Sequence, residues 1–207
     1  MQYILFIAAG FISGSILYSY MIGKYFCNID IMEISDDKNP GAANIIKHAG
    51  VKYGIPAIFL DVAKGFVPVY FAVKYLDIES LYFIPVLAAP VPGHATAPLF
   101  NWHGGKAIAS SFGCLLGLIS SSYIVLALAL PLFFFTFFVI IRPDGVRCII
   151  SYALFAIYSF CYCPIPGVRY GSMLIAAIVI IKHILGYENT KVSFQFGPWQ
   201  QLKNAHK

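Results

Sequence analysis

The stretch Trp102-His103-Gly104-Gly105-Lys106-Ala107 sits between two long apolar segments, roughly 81–100 and 106–122. Two adjacent glycines, a lysine and a run of small helical residues predict bare backbone N–H groups beside a cation. That combination suits a phosphate. Nearly everything around it reads as membrane. A phosphate site at the edge of a bilayer points toward lipid metabolism.

The composition fits that setting. The chain has 207 residues, 59% hydrophobic and only 11% charged, where a soluble domain carries about 25% charged residues. Mean hydropathy is +0.77. Crossing hydrocarbon takes roughly 20 residues, and seven candidate spans are long enough or nearly so: 3–24, 54–76, 81–100, 106–122, 123–141, 147–164 and 168–187. The third contains Pro85, Pro90, Pro92 and Pro98, which suggests a bent or partly unwound helix next to a site. The expected fold is an all-α polytopic membrane protein, with residues 1–190 as one domain and 191–207 as a tail. No basic residue precedes the first apolar run and no A-x-A-like site follows it, so this segment reads as a retained span rather than a cleaved signal.

Basic residues choose the orientation. One set of loops holds Lys24, Lys38, Lys47, Lys52, Lys106, Arg142, Arg147 and the lysines from Lys182 onward, while the other holds only Lys74 and Arg169. Positive-inside bias places the N-terminus outside and the C-terminus in the cytoplasm. The net charge of +5 then reports topology rather than nucleic-acid binding. The five cysteines form no pair of pairs with metal-ligand spacing, so they read as reduced packing residues. Gly113 and Gly117, four apart, suit close helix packing. A transporter would need a polar path to the outer face, and the external half has almost no ionisable residues.

In the first cytoplasmic loop, Asn39 suits an N-cap, Pro40 the first helical position and Gly50 the stop. This is either a surface helix or a second helix N-terminus, with Gly41 admitting a ligand to the backbone. Asp61 and Lys64 lie three apart on one helix face. A charge in mid-membrane costs about 2.5–3.5 kcal/mol by insertion scales, so the two are expected to pair, facing the bundle interior or a wet cavity. The pair either fixes helix registration or shapes the site. His94 is a lone histidine in an apolar region, of the kind that is hydrogen-bonded more often than catalytic. No histidine is followed by an acid at the spacing of soluble glycerolipid acyltransferases, and neither a G-x-S-x-G elbow nor a P-loop occurs.

In series, Gly14-Ser15-Ile16, Asn39-Pro40-Gly41-Ala42-Ala43-Asn44, Asp61-Val62-Ala63-Lys64-Gly65, Gly93-His94 and Gly104-Gly105-Lys106 resemble the PlsY family of bacterial membrane acyl-phosphate:glycerol-3-phosphate acyltransferases. The match covers about the first 120 residues. The resemblance implies seven spans in the bacterial inner membrane and a monomer that works among membrane lipids. It implies transfer of an acyl group from acyl-phosphate to glycerol 3-phosphate, without coenzyme A thioester, metal or other cofactor. Lys106 and the amides after Gly104-Gly105 would hold phosphate and stabilise charge, and Asn39, Gly41 and Asn44 would line the same pocket.

Other positions depart from the family pattern. An ungapped reading puts Glu33 and Asp37 where the family has an arginine and a serine, and a small realignment would give Ser35 the serine's role. His103 precedes the two glycines in place of a lysine, and Ala107 stands where a glycine usually follows the lysine. After the last span only Glu188 matches the family's ending, and His183 would replace a missing histidine if the helix is shifted. Like charges near 5 Å at an effective ε of 20 oppose each other by roughly 3 kcal/mol. Phosphate use therefore requires Glu33 and Asp37 to point away. The alternative is a non-catalytic, lipid-phosphate-binding or regulatory relative.

Overall fold

The computed structural model describes residues 1–186 and 191–197. It is mostly helical. Helices α1 (Gln2–Ser15) and α2 (Tyr18–Phe26) form one 25-residue apolar segment broken at Ile16 and Leu17. A short α3 (Ile31–Ile34) and α4 (Ala42–Ala49) lead into α5 (Val51–Tyr75). Three shorter helices follow: α6 (Phe83–Ala88), α7 (Pro90–Thr96) and α8 (Ile108–Leu116). The chain ends with α9 (Val125–Phe137), α10 (Asp144–Tyr162) and α11 (Pro166–Leu185).

Among the described residues four segments are long and apolar enough to cross a membrane: 2–26, α5, α10 and α11. The segment expected as one span over 81–100 is two short helices and a 3-10 turn. Its prolines and the left-handed backbone of Ala97 (φ 42°) break it. The expectation of helix alone also needs amendment. Strand β1 (Val139–Arg142) pairs antiparallel with β2 (Ser193–Phe196), Ile141 opposite Phe194. The start of the expected tail is thereby fastened to the end of α9. Residues 187–190, including Glu188, and 198–207 lie outside the described part.

Glycine sets the helix contacts. A Cβ on Gly113 of α8 would collide with the Val62 carbonyl oxygen of α5, and one on Gly65 of α5 with the Ser110 carbonyl oxygen of α8. Gly117 faces Val69 in the same seam. Likewise Gly14 of α1 lies against the Pro90 carbonyl, and Gly93 of α7 against that of Phe11. Backbones this close gain dispersion contacts, which must replace the hydrophobic driving force that lipid removes. The small-residue spacing of Gly113 and Gly117 thus serves packing, as expected. Buried Leu115, Leu118, Tyr152, Phe155 and Ile175 fill the centre of the bundle.

The seam yields a test. Gly113→Leu should lower unfolding stability in detergent by about 1–3 kcal/mol through overpacking, and an unshifted unfolding midpoint would contradict backbone contact between α5 and α8.

Candidate functional site

The break between α1 and α2 is where the site begins. Ile16 is extended, so its carbonyl is free of the helix ladder and accepts from the Lys64 ammonium at 2.6 Å. Lys64 also reaches Asp61 Oδ1 at 2.8 Å and His94 Nδ1 at 2.6 Å. The carbonyl and the ring nitrogen accept hydrogen bonds, whereas the Asp61 contact is an ion pair whose Oδ1 accepts no hydrogen bond among the described residues. The other oxygen of Asp61 accepts from Ser19 of α2. Asp61, Lys64 and His94 are all buried, so the expected pair is part of a five-residue network, with Ile16 and Ser19, tying α1, α2, α5 and α7.

That network lies beneath the glycine loop. Gly104 is pressed against the carbonyls of His94 and Ala95, and Gly105 against the His94 ring. Both glycines are needed because α7 leaves no room for a Cβ. The amides expected to be bare are not all free: Gly105 N–H donates to the His94 carbonyl at 3.1 Å and Lys106 N–H to Asn39 Oδ1 at 3.3 Å. Open N–H groups lie one step further on. Ala107 takes a left-handed conformation (φ 60°) and starts α8, whose first-turn amides have no intrahelical partner. Ala107, Ile108 and Ala109 line the cavity described next.

A cavity of about 630 Å³ runs between a polar and an apolar end. Asn39, Lys106, Asp144, Arg147 and His183 line the first, and Ile58, Val62, Phe112 and Leu116 the second. It adjoins a second opening of about 510 Å³ that shares Asp37, Asn44, Lys106 and His183 and adds Asp36 and Lys47.

The sequence-based candidates divide. Lys106, Asn39, Gly41, Asn44, Asp61, His94 and His183 all line the larger cavity. His183 donates from Nδ1 to the Val179 carbonyl at 2.8 Å, with Lys64-like burial; this leaves Nε2 as an acceptor. Ser35 does not reach either opening. It ends α3 with its side chain buried, so the proposed realignment is not realised. Asn39 does not cap α4 either; Gly41 occupies that position. Instead Asn39 receives the Lys106 amide, and its own carbonyl accepts from the Asn44 side chain at 2.8 Å.

The two acids behave differently. Glu33 is exposed on α3 and lines neither opening. Asp37 does the opposite of pointing away: its Oδ2 is 2.6 Å from Lys106 Nζ. Its Oδ1 accepts from Asn44 Nδ2 at 2.8 Å and from Asn39 N–H at 3.2 Å. Partial burial pushes this carboxyl up, but the bonds from Lys106, Asn44 and Asn39 outweigh it and hold it below the usual carboxylate range. The clasp is therefore fully present above the ordinary carboxylate range and is lost only as pH falls below it.

Arg147 was not singled out from sequence as a site residue. It lies in the first turns of α10, pairs with Asp144 at 3.2 Å and leaves a buried Nε without a partner among the described residues. Its place in the cavity arises from tertiary packing. Only its membership in a basic loop hinted at it.

A family model described as glycerol-3-phosphate acyltransferase matches residues 4–190. A Fusobacterium nucleatum protein named glycerol-3-phosphate acyltransferase is 31% identical over 88% of this chain and 91% of its own. One of the same name from Maridesulfovibrio salexigens is 40% identical over 57% of this chain, and the chain spans 60% of its length. The crystal structure of PlsY, an integral membrane glycerol 3-phosphate acyltransferase in its glycerol 3-phosphate form, superposes with a TM-score of 0.77. Its sequence identity is 25%, over 98% of this chain and 99% of that one.

Two outcomes follow from the charges. Lys64→Met leaves the buried Asp61 without its cation and should cost about 3–5 kcal/mol of stability, read as denaturant unfolding in micelles. Asp37→Asn frees Lys106 and should tighten inorganic phosphate binding roughly tenfold, about 1.4 kcal/mol; calorimetry giving equal or weaker affinity would refute the clasp as a competitor of anions.

Proposed function

The chain belongs to the glycerol-3-phosphate acyltransferase family, and we propose that it transfers a fatty acyl group from acyl-phosphate to glycerol 3-phosphate, giving lysophosphatidic acid. The observation that carries this reading is the single cavity with a cationic, amide-lined end and an apolar end between α5 and α8. Such a shape holds an amphiphile with a phosphorylated head. Lys106, Arg147 and the first-turn amides of α8 supply donors for phosphate oxygens. Ile58, Val62, Phe112 and Leu116 supply the surface for an alkyl chain.

In the transfer, the acceptor hydroxyl oxygen attacks the acyl carbonyl carbon, the carbon–oxygen bond to phosphate breaks, and inorganic phosphate leaves. His183, whose Nδ1–H donates to the Val179 carbonyl, in its neutral form takes the hydroxyl proton on Nε2. Asn39, Gly41 and Asn44 shape the phosphate end. Gly104 and Gly105 act by letting the loop rest on α7. Most of the acceleration comes from holding two phosphorylated compounds in register. Glu188 belongs to this end of the chain in the family pattern, outside the described residues.

The same reading gives the protein seven spans in the bacterial inner membrane, N-terminus outside, with 1–190 as the membrane domain, 191–207 as a tail, and a monomer as the working unit. The basic residues gathered on one set of loops support that orientation. The site then opens to the cytoplasm, where a water-soluble acceptor is available, while the donor arrives from lipid.

Asp37 favours a second reading, in which the clasped Lys106 binds lipid phosphate without turnover. The two separate cleanly. Purified protein given palmitoyl phosphate and glycerol 3-phosphate should form lysophosphatidic acid, and Lys106→Ala should lower that rate by at least about 100-fold. Phosphate binding without product from the unaltered protein would leave only the second reading.

A further inference from the structure

Lys64 leaves His94 in one tautomer. An ammonium only donates, so Nδ1 at 2.6 Å must accept and the ring hydrogen resides on Nε2. Among the described residues that N–H makes no hydrogen bond, and the ring borders the larger cavity although His94 is only 4% exposed. A Cβ at position 105 would strike Nε2, so only glycine there leaves room beside this edge of the ring. A donor held in one orientation at a cavity wall is free to meet an acceptor on a ligand.

Its place in the cavity identifies the atom. The anion donors Lys106 and Arg147 line one end, and Val62 and Phe112 line the other. An acyl-phosphate lying with its phosphate at the first and its chain along the second has its carbonyl between them. We propose that His94 Nε2–H donates a hydrogen bond to that carbonyl oxygen and holds the charge that develops there. This rests on the acyl-transfer reading above. As the acceptor oxygen attacks the carbonyl carbon, the carbonyl π pair moves onto oxygen, where Nε2–H meets it. The pair then re-forms the carbonyl as the bond to phosphate breaks. His94 keeps its proton throughout. His94 is a catalytic residue in this scheme, and Lys64 a positioning residue that fixes the tautomer.

The experiment uses full-length protein and palmitoyl phosphate labelled with ¹³C at the carbonyl. In infrared spectra without acceptor, the bound carbonyl band should move to lower wavenumber in the wild type and return to its value in micelles in His94→Phe. With acceptor, His94→Phe and His94→Asn should lower kcat about 100-fold while KM for glycerol 3-phosphate stays within about twofold. His94→Asn retains an oxygen for Lys64 but has nothing at the Nε2 position, so it decides the matter if His94→Phe fails to fold. His94→Gln, which restores a donor near Nε2, should recover part of both signals. Wild-type kcat in the folded Phe or Asn variant, or the same band in all proteins, overturns the assignment to His94. Absence of turnover in the wild type sinks the acyl-transfer reading instead, and the infrared band still reports on His94.

Discussion

One ammonium group, Lys64 Nζ, organises the centre of this molecule. It is buried within α5 and bonded to a carboxylate on its own helix, to a carbonyl at the break between α1 and α2, and to a ring nitrogen on α7. Without Asp61 the charge would be intolerable at this depth. Without the extended Ile16 there would be no spare carbonyl, because an unbroken helix uses each one internally. The interruption of the first segment and the lysine on α5 are therefore two halves of one solution.

The glycine loop depends on that arrangement. His94 is fixed from below by Lys64 and bears Gly104 and Gly105 above. The loop carries Lys106 to the cavity, where Asp37 meets it. Asp37 collects an ammonium, a side-chain amide and a backbone N–H, a set of donors suited to any small oxyanion. The carboxylate thus occupies one anion position in the unliganded protein. A phosphate that binds there must displace it.

Some of this was legible in the residues alone. Hydropathy gave the membrane class, and the spacing of Gly113 and Gly117 gave the packing seam. Asp61 and Lys64 announced their pairing by cost. The loop 102–107 marked the site, and the residues it was expected to gather, from Asn39 to His183, largely converge. The donors were misplaced, however. Adjacent glycines signal either ligand approach or backbone crowding, and only the position of α7 distinguishes these. From sequence Asp37 is only a repelling charge, because nothing there hints that Lys106 folds back onto it. The realignment that favours Ser35 and the N-cap reading of Asn39 fail for a related reason, since α3 and the Gly41 start of α4 set their directions, although Asn39 still lines the cavity. The pairing of β1 with β2 joins segments some fifty residues apart; Ser193–Phe196 alternates polar and apolar residues, but Val139–Arg142 does not and reads as the end of an apolar helix.

The nine residues of α8 measure about 13 Å at 1.5 Å per residue, under half of a hydrocarbon layer roughly 30 Å thick. None of these residues is exposed, so longer neighbours screen α8 from lipid and it need not match the thickness of any bilayer. A helix relieved of that duty is free to end early, and its length answers to the chamber it borders.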